Sequence, residues 1–272
     1  MARLINKDTT VCMSLAARPS NFGTRFHNFL YQALDLDYLY KAFTTTDLVA
    51  AIGGVRALGI RGCAVSMPFK EACIAMVDAL DASAKAIDSV NTIVNTEGRL
   101  TAYNTDYIAI TKLLAQHRVP TDMVFALSGS GGMAKAVACA LKDAGFKTGF
   151  IVARNEAAGR RLADLYGFTW RPDMDQVQAD LLINVTPIGM AGGLDASTLA
   201  FAEAAIDGAK VVFDVVALPA ETPLIRYART HGKQVITGAE VFAIQAVEQF
   251  VLYTGIRPDD DLFQQAAQFA RG

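Results

Sequence analysis

The run Met123-Val124-Phe125-Ala126-Leu127-Ser128-Gly129-Ser130-Gly131-Gly132-Met133-Ala134 carries the strongest structural signal in the 272-residue chain. Residues 123–127 form a short apolar strand, and a helix is expected from Gly132 to about Ala144, closed by Gly145. Between them Gly129, Gly131 and Ala134 fit G-x-G-x-x-A, with Gly132 in the same loop. A strand and a helix joined by this pattern form a dinucleotide-binding turn. The first glycine permits a tight turn, the second lets backbone approach a pyrophosphate, and the small third residue lets helix pack on strand. Free N–H groups and the positive end of the helix dipole then face the phosphates.

The next strand, over 150–153, ends in Arg154 and Asn155, and Asn155 is expected to cap a helix running to Tyr166. An NAD site calls for Asp or Glu at this strand end, to bond the ribose 2′-hydroxyl. Here no acid is present, and an arginine fork suits a 2′-phosphate. NADP is therefore the expected cofactor, with Arg154 and Asn155 as contacts. Arg160 and Arg161, two turns into the next helix, read as solvated charges.

Outward from this unit, strand-like and helix-like segments alternate almost end to end. Strands are expected over 10–15, 37–43 and 60–65, and a hairpin joins 90–95 to 99–104 through Thr96-Glu97-Gly98. Helices are expected over 24–34, from Thr46 or Asp47 to Leu58, over 68–80 and over 107–117, with 118–122 as a connection. Further strands fall at 181–184, 211–216 and 234–237, and helices at 239–253 and 260–270. The class is α/β. An N-terminal α/β substrate domain takes 1–106 and a Rossmann-type doubly wound dinucleotide-binding domain takes 107–238. The C-terminal helices, within 239–272, are expected to pack back onto the first.

Composition narrows the function. The chain is 52% apolar and 19% charged, with a mean hydropathy of +0.27, which suits a compact core and excludes wholesale disorder. Its 25 basic residues against 27 acidic ones leave a net charge of -2 and no basic run to hold nucleic acid. No uninterrupted apolar run reaches membrane-spanning length. Cys12, Cys63, Cys73 and Cys139 lack zinc-ligand spacing and read as reduced core residues, so no metal is expected. Arg3, Lys7 and Asp8 stand where a leader peptide would be apolar, so a cytoplasmic location is expected. The expected partner is a small-molecule substrate, and the protein is expected to be a monomer or homodimer.

Three N-terminal segments stand out: Val65-Ser66-Met67-Pro68-Phe69-Lys70, Val90-Asn91-Thr92 and Asn104-Thr105-Asp106. Singly, a lysine near a turn and an aspartate at a strand end are ordinary surface residues. Together, and ahead of the glycine turn, they resemble the shikimate dehydrogenase family, whose substrate site is built from V-T-x-P-x-K, V-N-T and N-T-D segments. Asn184-Val185-Thr186-Pro187-Ile188-Gly189-Met190 is similar to that family's N-x-T-x-x-G-M. The likeness continues through Asp214, Pro219, Thr222-Pro223-Leu224, Gly238 and Gln245.

The resemblance implies that Lys70 is the catalytic lysine and Asp106 its partner, both at the substrate hydroxyl that becomes a ketone. It implies that Asn91 and Gln245 bond the ring hydroxyls and that Ser66 replaces the family's threonine. Gly238 then lies beside the nicotinamide, with Thr186 and Met190 in a loop near the cofactor. The family's S-x-S-P, which helps hold the substrate carboxylate, is replaced: Asn21 and Gly23 occupy the serine positions and Thr24 the proline. Asn21 keeps hydrogen-bonding capacity, and Arg18 or Arg25 could reach a carboxylate, although surface charge is the plainer reading of each. Ala64, Ala217 and Tyr107 also depart from the pattern. The reacting end thus reads as intact and the carboxylate end as rebuilt.

The implied activity is NADP-dependent interconversion of shikimate and 3-dehydroshikimate or a close analogue, within the shikimate pathway of aromatic amino acid biosynthesis. The alternatives are a quinate or aminoshikimate dehydrogenase, or a catalytically weak dinucleotide-binding regulatory protein.

Overall fold

The computed structural model of the chain describes residues 4–271, so Arg3 lies outside the described residues. In chain order the elements begin with β1 (Thr10–Leu15), α1 (Phe22–Ala33), β2 (Tyr38–Phe43), α2 (Leu48–Ala57), β3 (Gly62–Val65), β4 (Ala79–Leu80), α3 (Ala82–Lys85), β5 (Thr92–Thr96) and β6 (Arg99–Tyr103). They continue with α4 (Thr105–Gln116), β7 (Phe125–Ser128), α5 (Gly132–Ala144), β8 (Gly149–Val152), α6 (Glu156–Tyr166), β9 (Thr169–Arg171) and β10 (Leu181–Asn184). The last are α7 (Glu203–Gly208), β11 (Val211–Asp214), α8 (Pro223–Thr230), β12 (Gln234–Thr237), α9 (Gly238–Thr254) and α10 (Asp260–Arg271). The chain divides into two compact units, Met1–Thr105 with Ala243–Gly272, and Asp106–Phe242. Among the described residues no helix is long and apolar enough to cross a membrane.

The first unit is a mixed sheet, β2-β1-β3-β5-β6-β4, with helices on both faces. Side chains alternate across it, as a pleated strand requires. Cys12 joins a cluster with Phe26, Leu30 and Tyr31 of α1, Phe250 and Tyr253 of α9, and Ala266, Ala267 and Ala270 of α10. Its neighbours Met13 and Leu15 face the opposite way, onto Ile52 and Val55 of α2 and onto Cys63, Val65 and Ile93. The β5–β6 hairpin turns through Glu97 and Gly98, both at positive φ (51° and 85°), and Asn95 Oδ1 accepts the Gly98 N–H at 2.8 Å. Two successive positive φ angles match the right-handed strand twist.

The second unit is a wholly parallel sheet ordered β12-β11-β10-β7-β8-β9. Counting its strands in chain order from β7, this reads 6-5-4-1-2-3, the doubly wound order of dinucleotide-binding folds. Gly145 closes α5 at φ 100°, and Asn155 Oδ1 caps α6 by accepting the Ala158 N–H at 3.0 Å.

One expectation fails. The predicted helix over 68–80 is a turn, a 3-10 segment at Ala72–Met76 and strand β4. Ala79 and Leu80 pair with Thr101 and Ala102 of β6, and the Asp78 N–H bonds the Leu100 carbonyl at 2.9 Å. Sheet pairing demands extended backbone there, and tertiary context overrides helical periodicity. Strand β9 and helix α7 carry too few patterned residues to be read in advance.

All four cysteines are free and buried. Burial pushes the Cys12 thiol up to about 12, and the Cys73 and Cys139 thiols up to about 11. They pack as small hydrophobes.

His27 is fully buried on the inner face of α1, its ring stacked on Tyr40 with centroids 4.3 Å apart. Burial lowers its pKa from 6.5 to about 3, against a weaker opposing pull from Gln249. The unfolded chain therefore binds a proton near pH 6.5 that the folded chain refuses until about pH 3. The stabilisation is complete above the higher value and is lost as pH falls through the window. Urea unfolding at pH 7.5 and pH 5 should show wild type losing about 2 kcal/mol more than His27→Phe. Equal losses would show that His27 does not set the acid sensitivity.

Candidate active site

In the second unit the strand order reverses between β7 and β10, the switch point where such sheets bind ligands. The loop Gly129–Ser130–Gly131 follows β7 at this place. Its Gly129 N–H bonds the Val152 carbonyl at 2.9 Å, and the Val185 N–H bonds the Ser128 carbonyl at 3.0 Å. Gly129 has φ +125°, and a Cβ there would stand 2.7 Å from Val185 Cγ2. Gly131 is the N-cap of α5 with no side-chain cap, and a Cβ on it would project into open space. Gly132 opens the helix, so the first-turn N–H groups have no capping side chain. Ala134 is fully buried against the sheet. A closed side at Gly129 and an open one at Gly131 fit a dinucleotide pyrophosphate.

Arg154 is exposed at the end of β8 and forms no ion pair among the described residues. Arg160 is engaged elsewhere, bonded to Glu156 at 2.7 Å and stacked over Trp170. The Asn155 oxygen is spent on capping α6, leaving its amide nitrogen as a donor.

After β10, the Thr186 hydroxyl donates to Asn184 Oδ1 at 2.6 Å, and Asn184 Nδ2 donates to Asp214 Oδ1 at 3.0 Å. Asp214 is fully buried, and burial raises its pKa against the pull of the Thr222 hydroxyl, the Val216 N–H and Asn184. Thr222, bonded to Asp214 Oδ2 at 2.6 Å, also caps α8 through the Ile225 N–H. Thr186 therefore braces its own loop, while Met190 is 41% exposed. Gly238 starts α9, and a Cβ on it would lie 2.3 and 2.4 Å from the Val216 and Val215 carbonyl oxygens. Thr237 and Glu240 form a reciprocal cap at this helix start, with Glu240 Oε2 accepting from the Thr237 N–H and hydroxyl at 2.8 and 2.7 Å.

In the first unit, backbone bonds gather Ser66, Lys70 and Asn91 at one end of the sheet. The Val65 N–H bonds the Asn91 carbonyl at 2.7 Å, and the Val90 N–H bonds the Lys70 carbonyl at 3.0 Å. The Ala17 N–H to the Met67 carbonyl, at 3.1 Å, draws the β1–α1 loop onto the same turn. Asn91 Oδ1 accepts from the Thr105 N–H at 2.8 Å and from the Thr92 hydroxyl at 2.9 Å. The Thr105 hydroxyl lies 3.2 Å from the same oxygen and 3.4 Å from Gln245 Oε1. Asn104 anchors the preceding loop through Nδ2 to the Ser89 carbonyl at 2.9 Å. Asp106, buried, is the first residue of the second unit and sits in the first turn of α4. Asn21 is exposed at the N-cap of α1 and makes no side-chain cap.

Sequence reasoning quoted Thr92 and Thr105 in its motifs without giving them a role, and missed Gln249. Gln249 donates to the Thr92 hydroxyl at 3.0 Å and to the Asn91 carbonyl at 3.3 Å. Its spacing of four from Gln245 puts both on one helix face, a signal available in advance. Tyr40 was missed too: its ring and hydroxyl stand 3.4 Å from where a Gly23 Cβ would be. Arg25 stacks its guanidinium over Phe269, 4.8 Å from the ring centroid.

Residues 22–93 match the model of the shikimate dehydrogenase substrate binding domain. A shikimate dehydrogenase-like protein of Haemophilus influenzae is 59% identical over 268 residues, covering 98% of this chain and 99% of the relative. A shikimate dehydrogenase (NADP(+)) of Pyrococcus abyssi is 34% identical over 247 residues, 89% of this chain and 90% of its own. The solved structure of a shikimate 5-dehydrogenase-like protein superposes with a TM-score of 0.96 at 58% identity, covering 99% of this chain and all of that one. The chain belongs to the shikimate dehydrogenase family. It is a shikimate dehydrogenase-like oxidoreductase, and the Rossmann-type sheet is that of the family.

This family member requires glycine at 238 for space rather than for an unusual φ. Gly238→Ala drives a methyl group into two backbone carbonyls and should cost about 3 kcal/mol in urea unfolding. Gly131→Ala, facing open space, should cost only the loss of a favourable N-cap residue, about 1 kcal/mol or less. Similar stabilities for the two variants would contradict the close approach at Gly238.

Proposed function

We propose that the protein is an NADP-dependent oxidoreductase interconverting shikimate and 3-dehydroshikimate or a close analogue, with Lys70 and Asp106 at the reacting hydroxyl. The observation that carries this reading is the open glycine cradle at Gly131, on the switch point of a chain that aligns nearly end to end with a relative named for that reaction.

Bound NADP supplies the hydride acceptor, and NADPH the donor in reverse. Gly129, Gly131, Gly132 and Ala134 shape the pyrophosphate cradle, and the start of α5 supplies its N–H groups. Arg154, free at the strand end, pairs with the 2′-phosphate, helped by the Asn155 amide. Thr186, Met190 and Gly238 line the nicotinamide end.

Oxidation removes a hydride from the carbinol carbon and a proton from its oxygen. The proton passes to the Lys70–Asp106 pair and returns from it when the ketone is reduced. Asn91, its oxygen already taken by Thr92 and Thr105, has only Nδ2 left and so donates to a ring hydroxyl. Gln245 and Ser66 complete the hydroxyl contacts, and Asn21 serves the carboxylate end. Beside Gly23, the buried Tyr40 hydroxyl stands 3.4 Å from where a Cβ would be.

NADPH formation followed at 340 nm with shikimate, quinate and aminoshikimate tests the reading. Turnover on shikimate supports it; no turnover on any of the three, with no NADP binding, would remove it. Lys70→Ala should lower kcat by on the order of 10²–10⁴ while leaving the KM for NADP within about twofold. Equal loss of both would make Lys70 a structural residue. Arg154→Asp should reduce the NADP/NAD preference by on the order of 10–100-fold. An unchanged ratio would take Arg154 away from the 2′-phosphate.

A further inference from the structure

We infer that Gln249 is a positioning residue for the substrate contact of Asn91: its amide starts a one-way chain of hydrogen bonds that turns the Asn91 oxygen inward and leaves Asn91 Nδ2 free to donate. The inference rests on the substrate reading proposed above and adds to it a residue that touches no substrate.

The direction follows from what each atom can do. A primary amide nitrogen only donates. Gln249 Nε2 has two N–H groups, placed on the Asn91 carbonyl at 3.3 Å and on Thr92 Oγ1 at 3.0 Å. Thr92 Oγ1, accepting from Gln249, must direct its single proton elsewhere, and it meets Asn91 Oδ1 at 2.9 Å. The Thr105 N–H, also a donor only, reaches the same oxygen at 2.8 Å. Two fixed donors on Oδ1 forbid the flipped carboxamide, which would set N–H against N–H and O–H. No described residue accepts from Nδ2. Asn91, Thr92 and Gln249 are all buried, so water does not compete for these bonds. Asn91 therefore presents a donor of fixed direction, suited to a substrate hydroxyl oxygen.

Gln249→Met keeps the length of the side chain and removes both donors, and Gln249→Glu replaces the donor by an acceptor. Each should raise the KM for shikimate about tenfold or more, with a much smaller change in kcat and none in the KM for NADP. Thr92→Val breaks the chain at its middle and should do the same. The double variant Gln249→Met/Thr92→Val should lose no more than either single one, because all remove one relay. Thr92→Ser restores the hydroxyl and should bring KM back to within about threefold of wild type.

A wild-type KM in folded Gln249→Met, or additive losses in the double variant, would overturn the inference while leaving the proposed reaction standing. If the Gln249 variants do not fold, the Thr92 pair decides it: equal KM values for Thr92→Val and Thr92→Ser would overturn it. Wild-type protein without turnover or binding of shikimate would defeat the substrate reading, and this inference with it.

Discussion

Helix α9 is bonded to residues laid down 157 and 158 positions earlier, through Gln249 to Thr92 and Asn91. Arg61 repeats the tie from the sheet side, donating to the Tyr253 carbonyl at 3.0 Å and to the Asn95 carbonyl at 2.9 Å. The helix comes this close because Gly62 of β3 has no side chain: a Cβ there would stand 2.3 Å from the Tyr253 ring. Closing the loop over so long an interval costs chain entropy that grows only slowly with length. The buried aromatic and aliphatic cluster of α1, α9 and α10 offsets it. Without that closure, Gln245 and Asn91 would share no neighbourhood.

In the second unit the comparable constraint is polar. Asp214 accepts from Thr222, Val216 and Asn184, and so joins the ends of β10 and β11 to the start of α8. A buried carboxylate left without donors would be costly, and the three partners explain why it is tolerated. The loops around the switch point are thereby held from below, while Gly129 against Val185 holds them from the side.

The local geometry of the glycine turn was legible in the sequence. Gly129, Gly131 and Ala134 could be read as a strand-to-helix turn because their spacing is local: strand, loop and helix follow one another within a dozen residues. Asn155 as a cap and Gly145 as a stop were legible for the same reason. Gln249 was not read, because its partners lie on a strand far away in the chain. Tyr40 beside Gly23 was hidden similarly, being a cross-element contact between β2 and α1. The predicted helix over 68–80 failed where Ala79 and Leu80 meet β6, an edge pairing that no local pattern announces.

The sequence by itself determined the α/β class, the glycine cradle with Arg154 at the following strand end, and the family to which the chain belongs. Those features rest on local backbone geometry and on ordered short motifs, each readable within a few residues. Only the tertiary structure decided the strand order β2-β1-β3-β5-β6-β4 of the first sheet and the direction of the Asn91 carboxamide. These depend on which distant segments meet, and on the rule that a buried donor must find an acceptor, which operates only once the chain has folded.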